Sequence, residues 1–297
     1  MNKKAQIFTV LAIVLIMLMF VSFEIFSMIR ERDSIKTRVS SMDSFLNSIE
    51  DNLERQMYIS GFRILFLAEG KITSQGDYIN VNDFFHEAFF NATVGGVANQ
   101  SILTGATYND FLDSINNKAR KINVVINMTN STINITQEDP WNVKFTLTSD
   151  FIMNDKEGLA SWKKSQVIST FIPVGGFEDP SHIINTRVLR KINRTIYSFD
   201  NTSIANLSGH FNGKYYIANP DAPSFLKRLE GDFTSDPNGI ETFVDTYEIQ
   251  LQGYPIKSTM SVVDHIYFTD ADTGSTVSGM PSGFRIDEGH KPFYQIP

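Results

Sequence analysis

The stretch that decides the fold is residues 7–29, which read IFTVLAIVLIMLMFVSFEIFSMI. Ile7–Phe23 carries no charge, and the apolar character continues beyond Glu24 to Ile29. A helix that crosses a bilayer needs about 20 mostly apolar residues. The apolar side chains favour insertion by roughly 4–6 kcal/mol, which exceeds the ~2.5–3.5 kcal/mol that Glu24 would cost at mid-bilayer. The sequence therefore predicts a transmembrane helix at residues 7–29.

The helix is predicted to continue well beyond the membrane. No proline occurs before Pro140 and no glycine before Gly61, so neither of the residues that most disfavour helices interrupts this part of the chain. Gly70 is the expected C-cap. One helix would then include the membrane segment and an amphipathic stalk at residues 30–70 that enters a folded head, and a basic tag at residues 1–6 would precede it.

The stalk carries an apolar seam whose members are spaced alternately four and three residues apart, the pattern of a coiled coil. The candidate residues for helix association are Ile35, Val39, Met42, Leu46, Ile49 and Leu53. Such a seam packs either against another copy of the same helix or against the protein's own head. Nearly three heptads do not decide between these two alternatives.

Residues 71–176 predict a head that contains both helices and strands. Two short helices are expected first, and the predicted strands follow at Lys121–Met128, Thr132–Gln137, Asn142–Met153 and Leu159–Pro173. Consecutive strands with short turns form an antiparallel sheet, one face of which must be covered. The segment from Met57 to Leu67 is apolar all round, as buried helices are, and is the expected cover.

The last part of the chain, residues 177–297, has frequent glycine and proline and weaker periodicity. It predicts an irregular α/β elaboration or a second small domain. The expected fold class is therefore α+β. A long transmembrane and stalk helix packs against an antiparallel sheet head, and the C-terminal elaboration follows.

The first residues suggest a family. Lys3-Lys4-Ala5-Gln6, directly before the apolar run, resembles the processing signal of archaeal type IV pilins and pilin-like proteins. The resemblance covers residues 1–172 and implies cleavage after Ala5, so that the mature chain begins at Gln6. It also implies that the apolar helix bundles in a filament or remains as an anchor. The chain departs from the family at Val10, where many pilins carry a glutamate.

The side of the membrane on which the head lies is predicted from its sequons. Basic residues after the span would by number place the C-terminal side in the cytoplasm, but long C-terminal domains translocate largely regardless of charge. Eight Asn-x-Ser/Thr sequences lie beyond the span, as acceptors on an exported surface would: Asn91, Asn99, Asn127, Asn130, Asn134, Asn193, Asn201 and Asn206. We expect a single-pass protein of the cell membrane with an extracytoplasmic, glycosylated C-terminal domain.

Composition and motifs predict no enzyme. The absence of cysteine excludes disulfides, thiolate metal sites and cysteine nucleophiles. The net charge of −7 argues against nucleic acid as a partner. No serine lies in a Gly-x-Ser-x-Gly context. The pairs Asp264-His265 and Asp287-x-x-His290 could support catalysis only if the fold brought a nucleophile near.

Metal and cofactor sites are not predicted either. The five histidines lack the His-x-x-x-His and Glu-x-x-His spacings of local metal motifs. Asp270–Gly274 begins like a calcium loop but lacks the later ligands, so we expect a solvated Asp/Gly turn.

Two functions fit these expectations best. The first is an extracytoplasmic structural protein, a pilin-like subunit or adhesin that assembles through its N-terminal helix. The alternative is a single-pass protein whose outer domain binds a ligand or partner as an accessory to a membrane complex. The expected partners are membrane lipid and, through the helix, another copy or another membrane protein. A third hypothesis, an anchored hydrolase, would require shifted carboxylates or histidines gathered in a deep cleft.

Overall fold

The computed structural model describes residues 3–98, 100–158, 160–199 and 204–296. The chain divides into two compact units, each assembled from three stretches. The first unit contains Met1–Asn52, Leu112–Asn130 and Ser149–Gln166, and the second contains Leu53–Phe111, Ser131–Thr148 and Val167–Pro297. The fold class is α+β, with one long N-terminal helix, short helices and small antiparallel sheets, which confirms the prediction at this level.

A single helix, α1, runs from Lys3 to Gln75. It passes through Gly70, the predicted C-cap, and ends before Gly76 instead. Gly76 has a φ of +76° and donates its N–H to the carbonyl oxygen of Ile72 at 2.8 Å. A glycine inside a helix costs only about 1 kcal/mol relative to alanine. That cost is too small to end a helix that packs on both sides of the glycine, whereas the left-handed conformation at Gly76 does end it.

The N-terminal part of α1 is the one candidate membrane span among the described residues. Its most apolar window has a mean hydropathy of 2.6, and none of that window is buried within the chain. Length and composition therefore allow α1 to cross a membrane. A signal sequence near an N-terminus has the same two properties.

Several short elements lie between α1 and the main sheet. In chain order they are α2 (Val81–His86), a π-helical turn (Glu87–Asn91), β1 (Thr93–Val94), β2 (Val97–Ala98), α3 (Gln100–Leu103), α4 (Tyr108–Ala119) and a 3-10 turn (Arg120–Ile122). Strands β1 and β2 pair antiparallel.

The main sheet has three strands in the order β3-β4-β5, namely β3 (Val124–Asp139), β4 (Asn142–Asp155) and β5 (Ser161–Pro173). Their connections are much shorter than the dozen or so residues that a parallel crossover needs, so the sheet is antiparallel. The sequence predicts two strands where β3 is continuous. Asn130 takes the turn-like conformation, with a φ of +52°, but strand pairing continues through it. Asparagine tolerates this conformation as a single residue.

Strand β4 shows the alternation that its sequence predicts. Every second residue is buried along its whole length, and the side chains of Val143, Phe145 and Leu147 have no exposure to solvent. Such period-two burial places one face of the strand in the core.

In the second unit, α1 packs closely on the sheet. A methyl group built on Gly61 would overlap Ile172 Cδ1 of β5 and lie 2.9 Å from Phe145 Cδ1 of β4. The helix backbone therefore approaches the sheet at a point where only glycine fits. The predicted cover of the sheet is present here, with Ile64 and Leu65 of the same helix also buried.

The first unit has its own polar contacts. Arg38 of α1 donates to Asp155 Oδ1 from Nη2 at 2.6 Å and from Nε at 2.8 Å, and the Asp155 side chain is fully buried. Asn116 of α4 donates to the carbonyl oxygen of Ile126 and accepts from its N–H, both at 2.9 Å. These bonds pair polar groups that have lost water.

The C-terminal stretch consists of short elements. They are α5 (Pro180–Thr186), α6 (Ile204–Asn212), β6 (Ile217–Ala218), α7 (Phe225–Glu230), β7 (Ile240–Glu241), α8 (Thr246–Leu251), α9 (Asp264–Thr269), β8 (Ser275–Thr276) and β9 (Arg285–Ile286). Strands β6 and β7 pair antiparallel, as do β8 and β9. Side chains from the later elements pack together in one apolar core, which includes Phe243, Val263, Phe284 and Tyr294.

Candidate functional site

Three buried side chains from separate elements converge in the C-terminal stretch. Glu241 ends β7, His265 lies in the first turn of α9, and His290 lies in the turn that follows β9. Each is a near neighbour in sequence of an apolar core residue, namely Phe243, Val263 and Tyr294. Packing of this core therefore fixes where the three polar side chains point. We call Glu241, His265 and His290 the histidine cluster.

The three side chains of the histidine cluster meet at one oxygen atom. Nε2 of His265 and Nε2 of His290 each lie 3.3 Å from Glu241 Oε2. The candidate ligand atoms of the three residues all lie within 4.8 Å of one another. The Glu241 side chain has no exposure to solvent, and His265 and His290 are 7% and 10% exposed.

Further residues hold the histidine cluster in place. Asp287 Oδ1 accepts a hydrogen bond from His290 Nδ1 at 2.7 Å, and Asp287 Oδ2 accepts one from Ser261 Oγ at 2.6 Å. Tyr294 donates its hydroxyl to Glu241 Oε1 at 2.6 Å, and Asn219 Nδ2 donates to Glu241 Oε2 at 2.9 Å. Both carboxylate oxygens of Asp287 and both of Glu241 thus accept a hydrogen bond.

These contacts shift the protonation equilibria of the site. Burial lowers the pKa of His290, but hydrogen bonds to Asp287 and Glu241 outweigh burial and raise it to about 10. Burial raises the pKa of Asp287, but bonds from His290 and Ser261 bring it down to about 2. The two imidazoles likewise outweigh burial at Glu241 and hold its pKa below the usual range. Without a metal ion, the histidine cluster is therefore a buried pairing of a carboxylate with an imidazolium.

A second group of buried charged side chains is linked to the histidine cluster through the chain, because Asp264 directly precedes His265. Arg228 Nη1 is 2.8 Å from Asp179 Oδ2 and 2.7 Å from Asp264 Oδ2, and none of the three side chains is exposed. Tyr216 donates its hydroxyl to Asp179 Oδ2 at 2.8 Å, and Arg228 Nη2 donates to the carbonyl oxygen of Ile240. We call Arg228, Asp179 and Asp264 the arginine group.

The arginine group already contains its cation. Asp179, His182 and Asp264 also have the spacing of a metal site, but the guanidinium of Arg228 lies between the two carboxylates. Burial raises the pKa of Asp179, but Arg228, His182 and the hydrogen bonds from Tyr216 and Ser181 together outweigh burial and lower it. At Asp264 burial outweighs the same guanidinium, so its pKa is raised. The arginine group is therefore a buried ion-pair network and not a second candidate metal site.

The structure brings together both acid–histidine pairs that the sequence singles out. Asp264-His265 and Asp287-x-x-His290 contribute to one region, and Glu241 joins them from β7. Ser261 hydrogen-bonds within this network, but it donates to Asp287 and not to a histidine. Ser261, His290 and Asp287 are therefore not ordered as nucleophile, base and orienting acid.

Sequence reasoning missed the histidine cluster because its members are distant in the chain. Glu241 is 24 residues before His265, and His290 follows after a similar interval. The one available signal was the presence of two acid–histidine pairs in the last part of the chain. Asp270, the start of the calcium-like stretch, instead forms an exposed ion pair with Lys257 at 2.9 Å.

The predicted association seam is partly buried. The side chains of Met42, Ile49 and Leu53 are 1–2% exposed, whereas Val39 is 47% exposed and Ile35 is half-buried. The Leu46 side chain lies outside the described part of the chain. At Met42, Ile49 and Leu53, burial within a single chain favours packing of the seam against the protein itself over packing against another copy. Association through α1 stays a prediction.

The processing and glycosylation candidates are placed as follows. Ala5 and Gln6 lie in the first turns of α1. Five of the sequon asparagines are exposed: Asn91, Asn127, Asn130, Asn134 and Asn193. Asn206 is half-buried and donates to the carbonyl oxygen of Ser198 at 2.8 Å, and Asn99 and Asn201 lie outside the described residues. Modification of these asparagines stays a prediction.

Models of known protein families, curated proteins and solved structures were each compared with the chain, and none matches it. Its function must be inferred from its own residues.

Proposed function

We propose that the chain is a membrane-anchored protein of the cell surface, held in lipid by the N-terminal part of α1. One observation carries this proposal. Residues 7–29 form a continuous helix whose large apolar side chains are exposed, including Phe8 at 76%, Met19 at 77% and Phe20 at 68%. An exposed apolar surface of this extent marks contact with a membrane or with another protein.

The chain composition changes abruptly where the span would end. Arg30, Glu31, Arg32 and Asp33 follow Ile29 directly, and all four are exposed. A charged side chain near the bilayer centre costs roughly 2.5–3.5 kcal/mol, but it costs much less at the interface. Four consecutive charges therefore support an interface at this point of α1.

In the proposed function the residues C-terminal to the span lie outside the cell, and copies associate through α1 in the manner of a pilin-like subunit or adhesin. Because Met42, Ile49 and Leu53 are buried in the single chain, the surface offered to another copy is the span itself and Val39. Exposed sequon asparagines such as Asn127 and Asn193 support an outside location.

A second candidate function is ligand binding by the outer domain. The histidine cluster supports it, because ionisable side chains that converge in a buried site are more often functional than scattered ones.

The anchor is tested by alkaline carbonate extraction of membranes that contain the full chain. We expect the protein to stay in the pellet and to be released by detergent. Replacing both Leu15 and Leu18 with arginine adds roughly 5–7 kcal/mol to the cost of insertion, enough to cancel it. This variant should leave the membrane fraction.

The matched control replaces Leu189 and Ile196 with arginine. These residues are 61% and 75% exposed, at least as much as Leu15 and Leu18 at 59% and 58%, but they lie outside the span. The control should stay in the pellet. Release of the wild-type chain by carbonate, or equal behaviour of the two double variants, would refute the anchor.

A further inference from the structure

We propose that Glu241 Oε2, His265 Nε2 and His290 Nε2 are ligands of one divalent transition-metal ion, with Zn²⁺ as the best fit. Nothing in this inference rests on the membrane anchor. The two proposals can therefore fail separately, because metal binding is measured on purified protein and anchoring on membranes.

The spacing of the ligand atoms fits a tetrahedral ion. Zinc bonds to nitrogen and oxygen are about 2.0–2.1 Å long, so two ligand atoms of a tetrahedral site lie about 3.3–3.4 Å apart. Both Nε2 atoms lie 3.3 Å from Glu241 Oε2. The candidate ligand atoms of the three residues all lie within 4.8 Å of one another, so one ion could contact all three after the imidazole rings adjust.

The hydrogen bonds around the histidine cluster orient its ligand atoms. Asp287 accepts from Nδ1 of His290, which leaves Nε2 of that ring directed at Glu241. Metal-bound histidines commonly donate their other ring N–H to a carboxylate, which fixes the tautomer and strengthens the ligand. Ser261 holds Asp287 in turn.

The type of ligand selects the metal. Two imidazoles and one carboxylate suit zinc and its neighbours in the transition series, whereas calcium and magnesium prefer sites made of oxygen alone. Three protein ligands leave the fourth tetrahedral position for a water molecule or another donor.

The contrast with the arginine group supports a cation at the histidine cluster. There the guanidinium of Arg228 satisfies Asp179 and Asp264. Among the described residues no lysine or arginine forms an ion pair with Glu241. A metal ion would take the place of the imidazolium proton between His290 and Glu241, and it would join β7, α9 and the turn after β9.

Binding is tested on the full chain, purified in detergent, stripped with a chelator and then titrated with zinc chloride. We expect about one zinc ion per chain by elemental analysis and a rise of roughly 5–10 °C in the unfolding temperature at a hundredfold excess over the dissociation constant. Titration with Co²⁺ should give the intense visible absorption of a tetrahedral site.

Variants then assign the ligands. His265→Gln and His290→Gln should each weaken zinc binding at least about 100-fold, and Asp287→Asn, which leaves all three ligands in place, about 10–100-fold. The control is His86→Gln, because His86 is an exposed histidine distant in sequence from the histidine cluster. It should bind as the wild type does.

Circular dichroism of each metal-free variant shows whether it is folded, so that a loss of binding is assigned only to folded protein. The proposal is overturned if the folded, stripped wild-type chain binds no stoichiometric zinc. It is also overturned if His265→Gln and His290→Gln bind zinc as tightly as His86→Gln does. Either result would leave the histidine cluster as a metal-free ion pair.

Discussion

Arg228 Nη1 lies 2.7 Å from Asp264 Oδ2, and neither side chain has any exposure to solvent. The same nitrogen is 2.8 Å from Asp179 Oδ2, so one guanidinium serves two buried carboxylates. A buried ion pair of this kind contributes little net stability as a whole, but the loss of one partner leaves an uncompensated buried charge. The arginine group is therefore a position at which a single substitution has a large effect.

We expect Arg228→Met to lower the free energy of unfolding by about 3–5 kcal/mol, because it removes the cation and leaves both carboxylates without it. Urea unfolding of the full chain in mild detergent, followed by near-ultraviolet circular dichroism, measures this loss. The control is Lys144→Met, which removes a more exposed ion pair to Glu138 at 2.9 Å. Lys144→Met should lower the free energy of unfolding by less than about 1 kcal/mol. Equal effects of the two variants would contradict the buried ion pair.

The packing of α1 on the sheet is tested by adding one methyl group. Gly61→Ala would overlap Ile172 Cδ1, and overpacking of this kind costs about 1–3 kcal/mol, more than the ~1 kcal/mol that alanine gains in a helix. Gly70 is the matched control, since a Cβ built there has nothing within 4 Å. Thermal unfolding should show Gly61→Ala destabilised and Gly70→Ala slightly stabilised. Stabilisation by both would show that the helix does not approach the sheet closely.

His210 makes stability depend on pH. Burial lowers its pKa to about 4, against the small opposing effect of Glu241, and its Nδ1 is 2.9 Å from Thr195 Oγ1. The unfolded chain, with an ordinary histidine pKa of 6.5, binds the proton more readily. Stability from this residue is therefore complete above pH 6.5 and is lost as the pH falls toward 4.

The loss at His210 amounts to about 3 kcal/mol, since one pKa unit is worth about 1.4 kcal/mol. Urea midpoints measured between pH 4 and pH 7 should rise with pH in the wild type, and the slope should be smaller in His210→Phe. An unchanged slope in the variant would mean that His210 does not titrate in this range.

Local patterns explain which parts of the fold could be predicted. The length of α1 follows from the absence of proline and from few glycines, and the burial of Val143, Phe145 and Leu147 follows from strict alternation in β4. The sequence predicts that α1 ends at Gly70, and this prediction is wrong because sequence alone does not show which glycine takes a positive φ.

The histidine cluster could not be predicted because no local pattern contains it. Glu241 lies in a two-residue strand, and His290 lies in a turn. Their meeting depends on core contacts of Phe243 and Tyr294, whose rings are 4.7 Å apart although the residues are distant in sequence. The periodicity of a sequence shows which residues share a face of one helix or strand. It does not show which residues of distant segments contact each other in the fold.

The most direct test of the proposed anchor is the mass of the N-terminal peptide of the native protein, measured in the membrane pellet and in a sheared surface fraction. We expect a chain that begins at Gln6 and retains Ile7–Ile29, present in both fractions. A chain that begins beyond Ile29 would show that the apolar stretch is a cleaved signal, and it would refute the membrane anchor.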